Sequence, residues 1–507
     1  MSASSATAPT EHLDVLIIGA GVSGIGAAYY LRQRLPGKTF AILEARDDLG
    51  GTWDLFRYPG IRSDSDLHTF GYAFKPWENR ESIAGGPAIL SYLRETADQY
   101  GIGSHIRFHR RVLGASWSSE TARWLVEVEN TGTGQCDLIS CSWLFSCAGY
   151  YRYDEGFTPR FPGSERFTGQ VVHPQHWPRD LDYQGKKVVI IGSGATAVTL
   201  VPALAETAGH VTMLQRSPTY VVPVPSQDKI ANALRAVLGS RRGYALTRRR
   251  YVAQQRFVYR FCQRFPQAAR RVIRGLNARR LPRDFPVDTH FNPTYNPWDQ
   301  RLCAVPDSDL FKSISSGAAS VVTDRIDTFT ENGIALASGQ HLEADIIVTA
   351  TGLNMCVFGD IELTVDGEAV SWPDTTAYKG CMLSDIPNFS FMVGYTNSSW
   401  TLKVSPVCEF LCRILERMGT GGHDICYPHA ADQAMPTRPL LDFSAGYVQR
   451  SLHLLPRQGP TAPWTMAMDY LSDVKTLSSD PFQDRQLRFT EAGRSIRPSA
   501  TGQTVSA

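Results

Sequence analysis

Two glycine clusters in this sequence have the spacing that suits binding of a diphosphate. In LDVLIIGAGVSG an apolar, β-branched run ends at Gly19-x-Gly21-x-x-Gly24, and the helical pattern VSGIGAAYYLRQRL follows at once. That strand–turn–helix context gives the spacing its meaning. Gly19 makes the turn, Gly21 lets the backbone approach a pyrophosphate, and Gly24 lets helix pack on strand, while the helix N-terminus supplies free N–H groups. The next apolar run, TFAILEA, carries Glu44, whose carboxylate can accept hydrogen bonds from a ribose diol. The second cluster, in KKVVIIGSGATAVTLVPALA, puts Gly192, Gly194 and Ala197 in the three glycine places, with Ser193 and Thr196 between them. Where the first site has its acid, the second has Gln215-Arg216-Ser217. A carboxylate there would repel a 2′-phosphate, whereas a guanidinium pairs with one, so Arg216 points to NADPH rather than NADH. Two loops of different charge imply two different dinucleotides. FAD at the first and NADPH at the second is the economical assignment.

A third run, FTGQVVHPQHWP, holds His173 and His176, with Trp177 beside them. No carboxylate or further histidine completes a ligand set around that pair, so no metal is expected. Rigid prolines and a small Gly169 suit a connector between domains.

The elements that must carry these loops imply an α/β chain: two Rossmann-like dinucleotide-binding domains, for FAD and NADPH, with a helical insertion. At 507 residues the chain is too long for one hydrophobic core. WLFSCAGYY and ADIIVTATGL each read as a buried strand ending in a small-residue turn, where the chain leaves and re-enters the first domain. The expected division is 12–150 and 345–485 for the FAD domain, and 160–225 and 285–344 for the NADPH domain. A basic helical insertion over 226–284 and a polar, mobile tail over 486–507 complete it.

Composition excludes several classes. A hydrophobic content of 43% and a charged content of 20% are ordinary for a soluble globular protein. The start, MSASSATAPTEHLD, lacks the apolar core of a leader peptide, and the longest apolar stretch is the first glycine loop itself. Ten cysteines without a CxxC pair read as reduced thiols of a cytoplasmic protein. The net charge of +2 hides an uneven distribution: Lys229 to Arg283 contains sixteen Lys or Arg and no Asp or Glu. Val252, Phe257, Val258 and Phe261 interleave with those cations at roughly helical spacing. A solvated helical face and a peripheral membrane contact are both compatible with that pattern. Nucleic acid is not expected, because nothing nearby resembles a recognition module.

A flavoprotein with these loops could be a disulfide reductase, a quinone reductase or a monooxygenase. The first needs a redox cysteine pair soon after the ribose acid, and there is no cysteine between residues 1 and 135. GGTWDLFRYPGIRSD (50–64) resembles the GGxW…[FY]PG…D signature of type I Baeyer–Villiger monooxygenases. Phe167, Gly169, His173, Trp177 and Pro178 match that family's FxGxxxHxxxWP fingerprint. Through YPGIRSDSD, HPQHWP, YNPWDQRLC and GYTNSSWTLK the chain is also similar to the actinobacterial ethionamide-activating FAD-containing monooxygenases. The resemblance runs from Leu13 to about Leu487.

The resemblance implies that NADPH reduces FAD, that reduced flavin takes up O2 to give a C4a-peroxide, and that this attacks a ketone to yield an ester or lactone. Side activity on sulfides or thiocarbonyls is expected of the same site. The family's charge-stabilising arginine matches Arg301, and its aspartate partner matches Asp64. The cofactor-binding set extends by resemblance to Ser23, Gly51, Thr52, Trp53, Arg62, Ser63, Asp64 and Val112, and to Ser193, Thr196 and Gln215. His173 and Trp177 are implied to couple NADPH position to domain arrangement, and Trp400 to border the substrate pocket. Many relatives carry a lysine before the arginine that helps hold the 2′-phosphate. This chain has Gln300 there, which shifts that task toward Arg216. The competing functions are a flavin monooxygenase that mainly oxidises nitrogen or sulfur, and a membrane-associated flavoprotein that interacts through its basic insertion.

Overall fold

The structure is a computed structural model and describes residues 9–432, 434–441, 443–494 and 496. The run LDVLII lies inside the strand Glu11–Ile18, which pairs in parallel with Phe40–Leu43 on one side and Cys136–Ser146 on the other. Parallel strands covered on both faces need near-continuous apolar sequence, and Val15, Leu16 and Ile17 are fully buried. The sheet continues through the antiparallel strands Arg123–Asn130 and Arg110–Ser118, and Phe389–Phe391 joins it beside Cys136–Ser146. The helix Val22–Arg34 covers it with small residues, which let neighbours come close. A Cβ on Gly26 would stand 2.5 Å from the side chain of Val404, at the start of the helix Val404–Gly421.

A second, wholly parallel sheet has the order Ala319–Thr323, His210–Gln215, Lys187–Ile191, Ile346–Thr349, Gln170–Val172. This corrects one expected boundary. The run at 344–353 is indeed a buried strand, but Ile346–Thr349 lies inside the second sheet, so return to the first half begins after it. The chain crosses between the halves along Tyr151–Gly156 and Leu353–Met355, and these two strands pair as an antiparallel ribbon.

Two further expectations meet the structure as follows. The basic segment is helical, as Lys229–Arg264 and Pro266–Ala278, with a break at Gly239, where φ is 77°. The expected tail is corrected at its start, because Leu487–Thr490 pairs with Ile425–Pro428. The rest of that tail, at 495 and 497–507, lies outside the described residues, as do residues 1–8. No helix among the described residues is long and apolar enough to cross a membrane. All ten cysteines are unpaired, and nine are buried.

The basic helix docks on the first half through the short helix Leu67–Phe70, which Asp66 caps by accepting from the Thr69 N–H. Arg248 is buried there and donates to the carbonyls of His68, Thr69 and Gly71 at 3.0, 3.0 and 2.7 Å. His68 is 4% exposed and stacks on Tyr251 of the basic helix. Burial, helped by Arg250 and Arg235, pushes its pKa down from 6.5 to about 4. The native ring is therefore neutral where the unfolded chain takes up a proton, so stability rises with pH across that window. About 3 kcal/mol is lost as pH falls through it. His68→Phe should flatten the urea midpoint against pH between 6.5 and 4, and an unchanged slope would assign the proton uptake to another group.

Candidate active site

One cavity of about 750 Å³ is lined by Gly19, Gly21 and Ser23 of the first glycine loop and by Ala195, Thr196 and Thr199 of the helix that follows the second. Gly19, with φ of 97°, turns tightly under the carbonyl of Cys147, and a Cβ on Gly24 would lie 1.9 Å from the Gly19 carbonyl. These two glycines are needed by the fold. Gly21 is different: its backbone is in the extended region that any residue adopts, and a Cβ there would meet only Gly51 Cα, at 3.8 Å. No side chain caps the helix Val22–Arg34 and no acid lies in its first turn, so its free N–H groups are left for an anion. The helix Ala195–Leu204 begins in the same way after Gly194, whose surroundings are open. These two uncapped helix ends fit dinucleotide diphosphates.

Glu44 ends the next strand and is 6% exposed on the cavity wall. Its carboxylate accepts from the N–H groups of Ala20 and Arg46 at 2.8 and 3.0 Å, which aims it at the mouth of the first loop. Burial raises its pKa, with the two N–H donors opposing. Thr52 and Gly51 sit on the adjacent wall against Tyr153, whose hydroxyl is 3.4 Å from that of Thr52. Val112 lines the same end, and Trp53 packs edge-on against Phe70.

Arg301 and Asp64 meet on the cavity wall through two parallel contacts, Nε to Oδ2 at 2.7 Å and Nη2 to Oδ1 at 3.0 Å. Asp64 belongs to the loop after Tyr58-Pro59-Gly60, whereas Arg301 comes from the segment before the strand Cys303–Pro306. Asp64 beside it raises the arginine pKa further above its ordinary value, against the effect of burial. The guanidinium is therefore a permanent, oriented charge. Tyr150, Tyr151 and Tyr447 surround it and their own pKa values are raised chiefly by burial, so all three are neutral donors. Tyr150 and Tyr151 hydroxyls lie 3.2 Å apart, and the Tyr150 ring packs on Trp400 at 5.1 Å. Trp400 donates to Ser23 Oγ at 2.9 Å, so the expected pocket tryptophan is fixed to the first glycine loop.

Some expected cofactor ligands have other partners. The Gln215 amide donates to the His290 carbonyl and to Thr323, both at 2.9 Å, so its buried side chain holds the second sheet and the expectation is corrected. Arg62 is paired with Asp309 of the second half, although it also lines the cavity. Ser63, buried, donates its N–H to the Ala84 carbonyl and accepts from the Ala84 N–H with Oγ, and it too lines the cavity. Ala197 is fully buried in the second core, in keeping with close helix–strand packing at the third glycine place. Gly192 turns under the carbonyl of Ala350, and Ser193 bonds the Ser217 carbonyl at 3.1 Å and the Thr219 hydroxyl at 2.8 Å. Arg216 is exposed just past the end of its strand and has no ion-pair partner among the described residues.

The histidine run stitches the crossing ribbon. His173 Nδ1 accepts from the Gln175 N–H at 3.2 Å, which leaves Nε2–H to donate to the Gly352 carbonyl at 3.2 Å. The Gln175 amide donates to the carbonyls of Arg152 and Tyr153, both at 2.9 Å, and His176 Nε2 lies 3.0 Å from the Asp154 carbonyl. The first strand of the ribbon and the residue before its second are thus tied to one short segment. Trp177 lies partly buried against the second core and meets Tyr183 edge-on at 6.4 Å.

The contrast between the glycines is measurable. Gly21→Ala should fold with a melting temperature close to the parent yet lose bound dinucleotide on purification, because its Cβ enters only the ligand space. Gly24→Ala should be destabilised without any ligand. Equal melting and equal cofactor retention in Gly21→Ala would show that no ligand approaches there.

The flavin-binding monooxygenase-like family profile matches residues 86–364, and an NAD(P)-binding Rossmann-like domain profile matches 17–80. The FAD-containing monooxygenase EthA of Mycobacterium tuberculosis is 51% identical over 494 residues, covering 97% of this chain and all of that one. A steroid monooxygenase bound to NADP superposes with a TM-score of 0.75 at 24% identity, over 95% of this chain and all of that one. A cyclohexanone monooxygenase bound to ε-caprolactone superposes with a TM-score of 0.74 at 21% identity, with the same coverage. With the family profile matching more than half of the chain and a relative half identical over nearly its whole length, the chain belongs to the flavin-binding monooxygenase-like family.

Proposed function

We propose that the chain is an FAD- and NADPH-dependent Baeyer–Villiger monooxygenase that inserts one atom of O2 into small ketones, and that also oxidises sulfides or thiocarbonyls. The observation that carries this reading is the bidentate Arg301–Asp64 pair on the wall of a cavity shared by the first glycine loop and the helix that follows the second. The first loop and Glu44 would hold FAD, and the second loop would hold NADPH, with Arg216 on the 2′-phosphate. When bound and reduced by NADPH, FAD would supply the electrons that activate O2, which is the source of the transferred oxygen atom.

The protein's own part is electrostatic and steric. Arg301 offers a cation that cannot give up its proton at working pH, so it stabilises developing negative charge without quenching a nucleophile. Asp64 fixes the plane of the guanidinium and offsets its charge when no anion is near. Tyr150, Tyr151 and Tyr447 lie near the guanidinium as neutral hydroxyls, and Trp400 bounds the substrate space. The unpaired cysteines suit a reducing cytoplasm.

Arg301→Ala should retain flavin and its reduction by NADPH but lose ester formation by about 100-fold or more, as expected on removing one fixed charge stabiliser. Ester at the parental rate would overturn the assignment. A panel of ketones and sulfides, analysed by product mass, separates this reading from a heteroatom-only oxygenase, which would give sulfoxide and no ester. Arg216→Ala should raise the KM for NADPH roughly 10- to 100-fold with little change for NADH. An unchanged ratio would place the 2′-phosphate elsewhere.

A further inference from the structure

The mechanism leaves the outer face of the basic helices unused, and this face is unlike the rest of the surface. Fifteen large hydrophobic side chains are exposed among the described residues, and eight of them lie between Ile230 and Val272. Phe257 is 70% exposed and Val237 81%. The same stretch contains no acid. Several of its cations are committed to the protein itself: Arg248 to carbonyls, Arg250 to Asp228, Arg256 to Asp469 and Arg274 to Asp288. Arg241, Arg242, Arg249, Arg260, Arg264 and Arg271 are exposed and have no ion-pair partner among the described residues.

Spacing collects these residues. Leu246, Arg249, Phe257, Arg260 and Arg264 recur at helical intervals of three, four and their multiples, on the side away from buried Tyr244 and Arg248. Phe257, Phe261 and Phe265 form a ladder with ring centroids 6.4 and 5.8 Å apart, and Arg264 lies over the Phe265 ring. A purely solvated face has no reason to expose Phe257 and Phe265. A nucleic-acid surface would use the arginines but gain nothing from Val237 and Leu238. An interleaved apolar and cationic helix face, free of acids, matches the chemistry of an anionic lipid surface, with rings entering the headgroup boundary and guanidiniums pairing with phosphates.

We propose that the outer face of Lys229–Arg264 and Pro266–Ala278 docks peripherally on anionic phospholipid bilayers. The inner face of the longer helix braces the cavity wall, since Gln255 donates to Asp66 at 2.6 Å and Arg248 caps the helix that ends at Phe70. Docking would therefore hold the cavity beside a bilayer in which apolar ketones concentrate; that consequence, unlike the docking, rests on the proposed activity.

The test is flotation of the flavin-loaded protein with vesicles of phosphatidylglycerol and phosphatidylcholine, and with phosphatidylcholine alone, at low and high salt. Binding is expected only to the anionic vesicles and should weaken with salt. Replacing Arg249, Arg260 and Arg264 together by serine should weaken it on the order of 10- to 100-fold, and Phe257→Ser should weaken it separately. Circular dichroism and flavin content, unchanged in these variants, would show that their fold is intact. Failure of the parent to float with anionic vesicles at low salt would overturn the proposal, as would equal flotation of the variants. Self-association lost in the same variants, without vesicle binding, would assign the face to a second copy of the chain.

Discussion

A guanidinium cannot be neutralised by losing its proton, so wherever the fold brings one to a cavity wall it must also bring a carboxylate or leave an uncompensated charge. Arg301 and Asp64 meet that requirement across the two halves of the molecule, one from each. Much of the surrounding structure serves to hold Asp64 where Arg301 arrives. Arg62 is tied to Asp309 in the second half, Ser63 is hydrogen-bonded to Ala84, and Asp66 caps the short helix that follows. Two anchors before it and one after it leave the intervening aspartate little freedom.

The second constraint is mechanical. The halves are joined through one two-stranded ribbon; Gln175 and His176 bond its first strand, and His173 bonds Gly352, the residue before its second. An antiparallel pair with few ladder bonds twists readily, whereas the packed sheets of the two halves do not. A rotation of one half would therefore be taken up at the ribbon. It would also change the distance from the second loop to the Arg301–Asp64 pair, because that pair spans the same boundary. The bonding of His173 selects a neutral ring that donates from Nε2, which suits a fastener better than an acid or a base.

How much of this was legible in the sequence depended on how local each requirement is. Gly19 and Gly24 declare themselves because backbone sterics demand glycine within a few residues of chain. Their helices and strands follow from the same stretch. The strand at 346–349 is legible as buried, yet its sheet is not, because a parallel strand covered on both faces reads the same in either half. Gln215 misleads for a related reason: its place at the strand end suits a ribose, but its buried amide is held by His290 and Thr323, distant in sequence. The tyrosine cage of Arg301 was out of reach, since Tyr150 and Tyr447 come together only through the fold. The one available signal was the run of tyrosines just past a strand end in CAGYYRY. Leu487–Thr490 escaped because a short edge strand amid polar residues carries little pattern.

The basic helix shows how one sequence feature can answer two demands. Its cations look interchangeable in the sequence, but the fold divides them by helical phase. Arg248 turns inward and is buried against three carbonyls, while Arg249, one residue on, is exposed. The buried arginine needs no counterion of full charge, because carbonyl dipoles at the end of a helix already present partial negative charge to it. That arrangement explains how a stretch without a single acid can pack against the body of the protein. It also means that charge left on the outer face is not spent on folding and stays free to meet negative charge outside the chain.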